Sequence, residues 1–182
     1  MRASLHLAVA IVAVAAGASA ARADDARSEA AGLRFTVAKD WTRVPAASDM
    51  RAAQFRVPHA PGDADDGEVV LFFFGRGQGG DADANLARWY GQMEQPDGRP
   101  TRDAAVTTIR TIHGLRVTST DVSGTYGGGM AGGPPKPGMR LLAAVVEGDG
   151  GPWFWKAVGP EATMAAAKPA FDALLGSLEA HR

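Results

Sequence analysis

Glu68 to Phe74 reads EVVLFFF, and a strand drawn through it points apolar side chains to both sides. A strand with one face in water alternates apolar and polar residues, whereas one that is apolar on both faces has to be covered from above and below. A chain built around it therefore folds in layers, with a sheet in the middle. No cysteine occurs among the 182 residues, so packing alone holds those layers together. The same absence removes disulfides, thiol catalysis, cysteine-ligated zinc and a lipidated cysteine.

Near the N-terminus, Arg2 is followed by an apolar run from Leu5 to Ala16, then by small residues up to Ala23 and the acidic pair Asp24-Asp25. This three-part layout predicts a secretory signal peptide over residues 1–23. Two cleavage frames satisfy the small-x-small rule, Ala18-Ser19-Ala20 and Ala21-Arg22-Ala23, and the acids favour the second. The apolar core of about a dozen residues is short of the roughly 20 that span a bilayer, so no stable membrane span is expected after cleavage. What is left, residues 24–182, is expected to be a single exported domain, periplasmic or secreted. Cleavage takes Arg2 and Arg22 and no acid, leaving 17 basic against 20 acidic side chains. Scattered arginines with a negative balance lack the basic stripe of a nucleic-acid binder, and they offer no patch to an anionic membrane.

Residues 24–32 (DDARSEAAG) are small and polar and read as a loose lead-in. Strands are expected at Leu33 to Val37, Met50 to Val57 and Glu68 to Phe74, with the turn-rich His59 to Gly67 before the last. Leu86, Trp89, Tyr90 and Met93 recur at helical spacing, which predicts a helix from an Asp81 cap to Met93 with one buried face. His113-Gly114 joins two Val-, Ile- and Thr-rich runs, Ala105 to Ile112 and Leu115 to Val122, and predicts a two-residue hairpin. Met139 to Val146 and Pro152 to Val158 predict another, and Gly124 to Gly138 reads as a long loop. The last helix starts after Gly159-Pro160. Its apolar residues, Met164, Ala167, Phe171, Leu174, Leu175 and Leu178, keep phase across Pro169, where a kink or restart is expected. The fold class is α+β, a mainly antiparallel sheet of six or seven strands covered by helices.

Three stretches, Phe35 to Trp41, Arg51 to Gln92 and Gly159 to Leu178, together resemble a group of uncharacterised exported bacterial proteins with the PsbP-like fold, an α/β/α sandwich. Phe171 to Leu178 (FDALLGSL) is similar to the F-x-x-L-L-x-S-L ending of that fold. Ala38-Lys39-Asp40-Trp41 departs from its opening, which carries proline and glycine before the tryptophan. The resemblance implies a domain that binds or tethers other proteins without catalysing a reaction.

Candidate chemistry is sparse. Gly75 to Gly80 (GRGQGG) matches G-x-G-x-x-G between a strand and a helix, where backbone amides and the helix terminus favour a phosphate. Asp81 and Asp83 repel one, and the later strands pair as hairpins, so a dinucleotide is not expected there; an anionic small ligand is the second reading. The acidic run from Asp63 fails as an EF-hand, with Gly67 fifth, Glu68 sixth and Phe74 twelfth. His59, His113 and His181 share no helix face, which leaves no zinc set. Ser123 lacks the preceding glycine of a nucleophile elbow, so Ser123 with His113 is the one hydrolase reading that survives. No catalytic residue, metal site or cofactor is expected.

The candidate binding surface gathers Arg51, Gln54, Gln78, Asn85, Arg88, Trp89 and Gln92, with at least one of Trp153, Phe154 and Trp155 expected to reach a surface. Tryptophan and arginine are residues that anchor interfaces. The first expectation is thus an exported, non-catalytic binding or adaptor domain with a protein partner. The second is a small-ligand binder with Gly75 to Gly80 as rim and Gly124 to Gly138 as lid.

Overall fold

The computed structural model describes residues 27–127 and 133–181. The expected signal segment and the centre of the Gly124 to Gly138 stretch lie outside the described residues. The central sheet is built from β3 (Thr42–Arg43), β4 (Arg51–Val57), β5 (Gly67–Phe72), β10 (Trp153–Pro160), β9 (Lys136–Glu147), β8 (Leu115–Tyr126) and β6 (Met93–Glu94) in that spatial order, with β7 (Val106–Ile112) also paired to β8. All of its pairings are antiparallel. A separate sheet sets β2 (Leu33–Thr36) between β1 (Arg27–Ala30) and β11 (Glu179–Ala180). Helices α1 (Ala82–Tyr90), α2 (Thr101–Ala104) and α3 (Glu161–Gly176) complete the chain. The fold is α+β, a mainly antiparallel sheet with helices on both faces.

The two-sided strand is the reason for the layers. Val69 and Leu71 of β5 face the core under α3, with Trp153, Trp155 and Ala157 of β10 and Leu142, Ala144 and Val146 of β9. Phe35 of the small sheet packs edge-on to Trp155 in the same core, ring centroids 4.8 Å apart. On the opposite face Leu141, Ala143, Val145 and Phe154 meet Leu86, Trp89 and Tyr90 of α1. Trp153, Phe154 and Trp155 are all buried, so none of the three forms an exposed patch.

Several boundaries differ from the sequence reading. The eight-stranded sheet exceeds the expected six or seven because β3 and β6 have two residues each, too few for a period to show. Residues 27–30, whose composition reads as lead-in, form β1 by pairing with β2. Helix α1 stops at Tyr90 and Met93 enters β6, its side chain buried all the same. Both ends of the expected Gly124 to Gly138 loop are strand, β8 running to Tyr126 and β9 beginning at Lys136. Gly124 permits this, because a Cβ there would sit 2.5 Å from the Glu94 carbonyl oxygen of β6. Helix α3 continues through Pro169 without restarting, with buried Met164 and Ala167 before the proline and Phe171, Leu174 and Leu175 after it.

The His113-Gly114 hairpin is as expected, both residues at positive φ (47° and 84°), the signature of a type I′ turn. The acidic loop is consumed internally. Asp63 accepts from the Thr163 amide and hydroxyl, Asp65 pairs with Lys136, and Asp66 accepts from the His59 amide and pairs with Arg56. No helix among the described residues is long and apolar enough to cross a membrane.

Candidate functional site

Helix α1 has nine residues and a length of about 13 Å, too short to cover an eight-stranded sheet. It packs over β8, β9 and Phe154 of β10 and leaves the same face of β4, β5 and the rest of β10 only partly covered. There a cavity of about 430 Å³ opens, a size ordinary for small-molecule sites.

Its floor follows from strand alternation and register. Phe72 pairs with Phe154, Val70 with Lys156 and Glu68 with Val158 across β5 and β10, and all six side chains line the cavity. Arg51 arrives from β4 by way of a bulge: Gln54 pairs with Val70 and Ala53 with Leu71, but Arg51 rather than Ala52 pairs with Phe72. The extra residue reverses the alternation, turning Arg51 onto the cavity face and Ala52 toward the core under α3. Its guanidinium lies over the Phe72 ring, 5.7 Å from the centroid. Asn85, Arg88 and Trp89 of α1 and Gln92 just past its end form one wall, Tyr126 closes the β8 end, and Ser48, Met50 and Phe74 form the rim. Phe74 stacks on Phe72, with centroids 6.3 Å apart and planes at 12°.

The polar groups are unevenly committed. Glu68 Oε1 accepts from Arg51 Nη1 at 2.9 Å and from Gln54 Nε2 at 2.6 Å. Lys156 Nζ donates to Gln92 Oε1 and to the Tyr126 hydroxyl at 3.0 Å, and it sits over the Tyr126 ring. An ammonium has three N–H donors, so one is left without a partner among the described residues. Asn85 is buried and spends its amide hydrogens on the carbonyls of Gly79 and Asp81, which leaves its carbonyl oxygen for an occupant. Arg88 pairs with no acid among the described residues. Three basic side chains thus line the cavity against one carboxylate, itself already paired.

Burial holds the Lys156 ammonium down at about 8, against its ordinary 10.5; Glu68 pulls it back up and Arg51 pushes it further down. Above that value the folded lysine is largely neutral while the unfolded one still binds a proton, so stability rises with pH. Burial, aided by Glu68, also raises the Tyr126 phenol above its usual 10, which reverses the trend at higher pH. Urea unfolding should therefore give a free energy that climbs between pH 8 and 10, and Lys156→Met should remove the climb. Equal slopes for the two proteins would refute this account of Lys156.

Of the seven residues expected at a binding surface, Arg51, Asn85, Arg88, Trp89 and Gln92 line one cavity. Gln54 stands behind it, holding Glu68 and accepting from the Ala47 amide. Gln78 is exposed and does not line it. The Gly75 to Gly80 loop is a self-contained connection rather than a rim: Gly77 donates its amide to Gly151, Gln78 to Gly75, and the Asp81 carboxylate caps Ala84. Four of its glycines have positive φ, as a tight reversal demands. Ser123 and His113 are not brought together. They sit at opposite ends of β8, about 25 Å apart at roughly 3.3 Å per residue. Ser123 donates to Glu161, while His113 Nδ1 bonds the Leu178 carbonyl.

The sequence reading missed Glu68, Lys156 and Tyr126. The first two carried a signal: in EVVLFFF and PWFWKAV each is the charged residue on an apolar, period-two face. Tyr126 lies in the Gly124 to Gly138 stretch, whose composition reads as loop.

No protein-family model matches the chain, and no curated protein matches it. Among solved structures it is similar to cyanobacterial PsbP (CyanoP) from Synechocystis, at 14% identity and a TM-score of 0.48, over 83% of this chain and 88% of that one. It is also similar to a protein of unknown function from Pseudomonas aeruginosa, at 15% identity and a TM-score of 0.49, over 78% of this chain and 98% of that one. Neither likeness says what occupies the cavity.

Proposed function

We propose that the chain is an exported, non-catalytic binding domain whose cavity between α1 and the β4-β5-β10 face takes a small amphipathic anion. This replaces the protein-adaptor role as the leading reading. The observation that carries it is Lys156, a half-buried ammonium with a donor to spare, on a floor whose one carboxylate, Glu68, is already paired with Arg51, and with Arg88, unpaired among the described residues, beside it. Phe72, Phe74, Trp89 and Phe154 offer ring faces to an apolar body. The three cations suit a carboxylate or sulfonate at its head, since charge-assisted hydrogen bonds are about twice as strong as neutral ones.

Titration calorimetry with decanoate, decanol and decylammonium tests the reading. Decanoate is expected to bind at least about tenfold more tightly than decanol, the equivalent of one charge-assisted hydrogen bond, and decylammonium not at all. Lys156→Met should cancel the preference for decanoate, and in the wild type that preference should fade as pH passes about 8. Equal affinity for the acid and the alcohol, or no binding of either, would sink the proposal.

A further inference from the structure

Strand β7 is the one long open edge of the central sheet among the described residues. At the other end β3 is two residues long, and the chain beyond it folds back on β4 through Val44 N to Gln54 O and Ala47 N to Gln54 Oε1. Seven-residue β7 (VTTIRTI) has β8 on one side and nothing on the other. Val106 is 65% exposed and Ile109 58%. Six of its seven residues are β-branched, and Arg110 is its only charge. Such an edge, without proline or bulge, is a template for another strand, and proteins normally blunt edges of this kind.

We propose that β7 joins two copies of this chain through antiparallel pairing about a two-fold axis at Ile109. The sequence is self-complementary in that register. Ile109 faces the partner's Ile109, Thr107 the partner's Thr111, and Val106 the partner's Ile112, which are apolar or Thr–Thr pairs that favour cross-strand packing. Arg110 faces the partner's Thr108, so no like charges stand directly opposite. A groove alongside β7, between the sheet and α3, carries Asp121 and Asp172, which Arg140 and Lys168 of the same chain already pair, so neither acid stands unpaired against a second copy. The assembly closes at two copies, because pairing consumes both β7 edges and leaves in the central sheet only the covered β3 ends and the two-residue β6 ends. A second copy is the occupant that this symmetry selects over an unrelated peptide.

Size exclusion with light scattering is expected to give the mature wild type twice the mass of one chain, and Ile109→Lys the mass of one. Cooperative thermal unfolding of Ile109→Lys shows that the variant still folds. The chain lacks cysteine, so Ile109→Cys supplies a reporter of register. Directly opposed Cα atoms lie about 4.5–5.5 Å apart, within disulfide range. Covalent dimer should form at least about tenfold faster with Ile109→Cys than with Met50→Cys, which is exposed on the cavity rim. A wild type of single-chain mass at all accessible concentrations overturns the proposal, and so does a dimer that Ile109→Lys leaves intact. Neither outcome bears on the decanoate titration, because β7 contributes nothing to that cavity.

Discussion

Trp155→Ala is expected to lower the unfolding free energy by about 3–5 kcal/mol, the cost typical of emptying an aromatic site in a packed core. Trp155 has no exposed surface, lies against Phe35 and is central to the core between the sheet and α3. The loss is a large share of the roughly 5–15 kcal/mol that a domain has in total. Its indole N–H is buried without a hydrogen-bond partner, which is itself unfavourable. Trp155→Phe removes that donor while retaining a ring, and is expected to cost only about 1–2 kcal/mol. Trp153→Phe makes the contrast, because the Trp153 indole donates to the Ala31 carbonyl at 2.8 Å and its loss strands an acceptor. Urea unfolding of the three variants should rank Trp155→Phe above Trp153→Phe and both above Trp155→Ala. A Trp155→Phe as unstable as the alanine variant would mean that ring shape, rather than the unpaired donor, governs the site.

The second large effect is expected at Gly79. Its φ is +98°, and a Cβ there would lie 2.5 to 2.8 Å from ring atoms of Phe154 and Phe74. Backbone strain and overpacking each cost about 1–3 kcal/mol, which puts Gly79→Ala at about 2–6 kcal/mol. Phe154 is wedged in the α1 core and cannot retreat, whereas Phe74 is 36% exposed and can swing outward. Both rings line the cavity, so this variant should also weaken decanoate binding. Gly77→Ala is the matched control: φ is +70°, nothing lies within 4 Å, and the cost should be the backbone strain alone. Thermal unfolding of the two variants in parallel decides it, and equal losses would refute the steric account.

Much of this architecture is legible in the sequence because it rests on periodicity. EVVLFFF demands two covers: α3 supplies one over Val69 and Leu71, while α1 only partly closes the Val70 and Phe72 side, which becomes the cavity floor. The apolar stripe Leu86, Trp89, Tyr90 and Met93 is buried throughout, although Met93 sits in β6, and Gly114 marks the β7–β8 turn. What escaped depends on pairing between distant segments. Arg27 to Ala30 is polar and becomes a strand only because Leu33 to Thr36 offers an edge. Gly124 to Tyr126 carries loop composition, yet β6 and β9 pin it.

The cavity shows the same division. Asn85, Arg88, Trp89 and Gln92 could be gathered from one helix, and Arg51 could be named as a candidate. That Arg51 faces the same way as Gln54 depends on a bulge, which breaks the alternation that a sequence reading relies on. Gln78 sits among glycines whose positive φ serves a tight reversal and not a ligand rim.

The small sheet at the chain's ends has a mechanical consequence. β1 and β11 flank β2 and both run antiparallel to it, so they are parallel to each other, and Arg27 is paired with Glu179 across the top. A tension applied through the segments before Arg27 and after Ala180 drags β1 backward and β11 forward along the intervening strand. The hydrogen bonds on either side of β2 are then loaded together in shear instead of opening one at a time like a zip. The seam that joins the two ends of the domain is thereby oriented to resist being pulled apart by them.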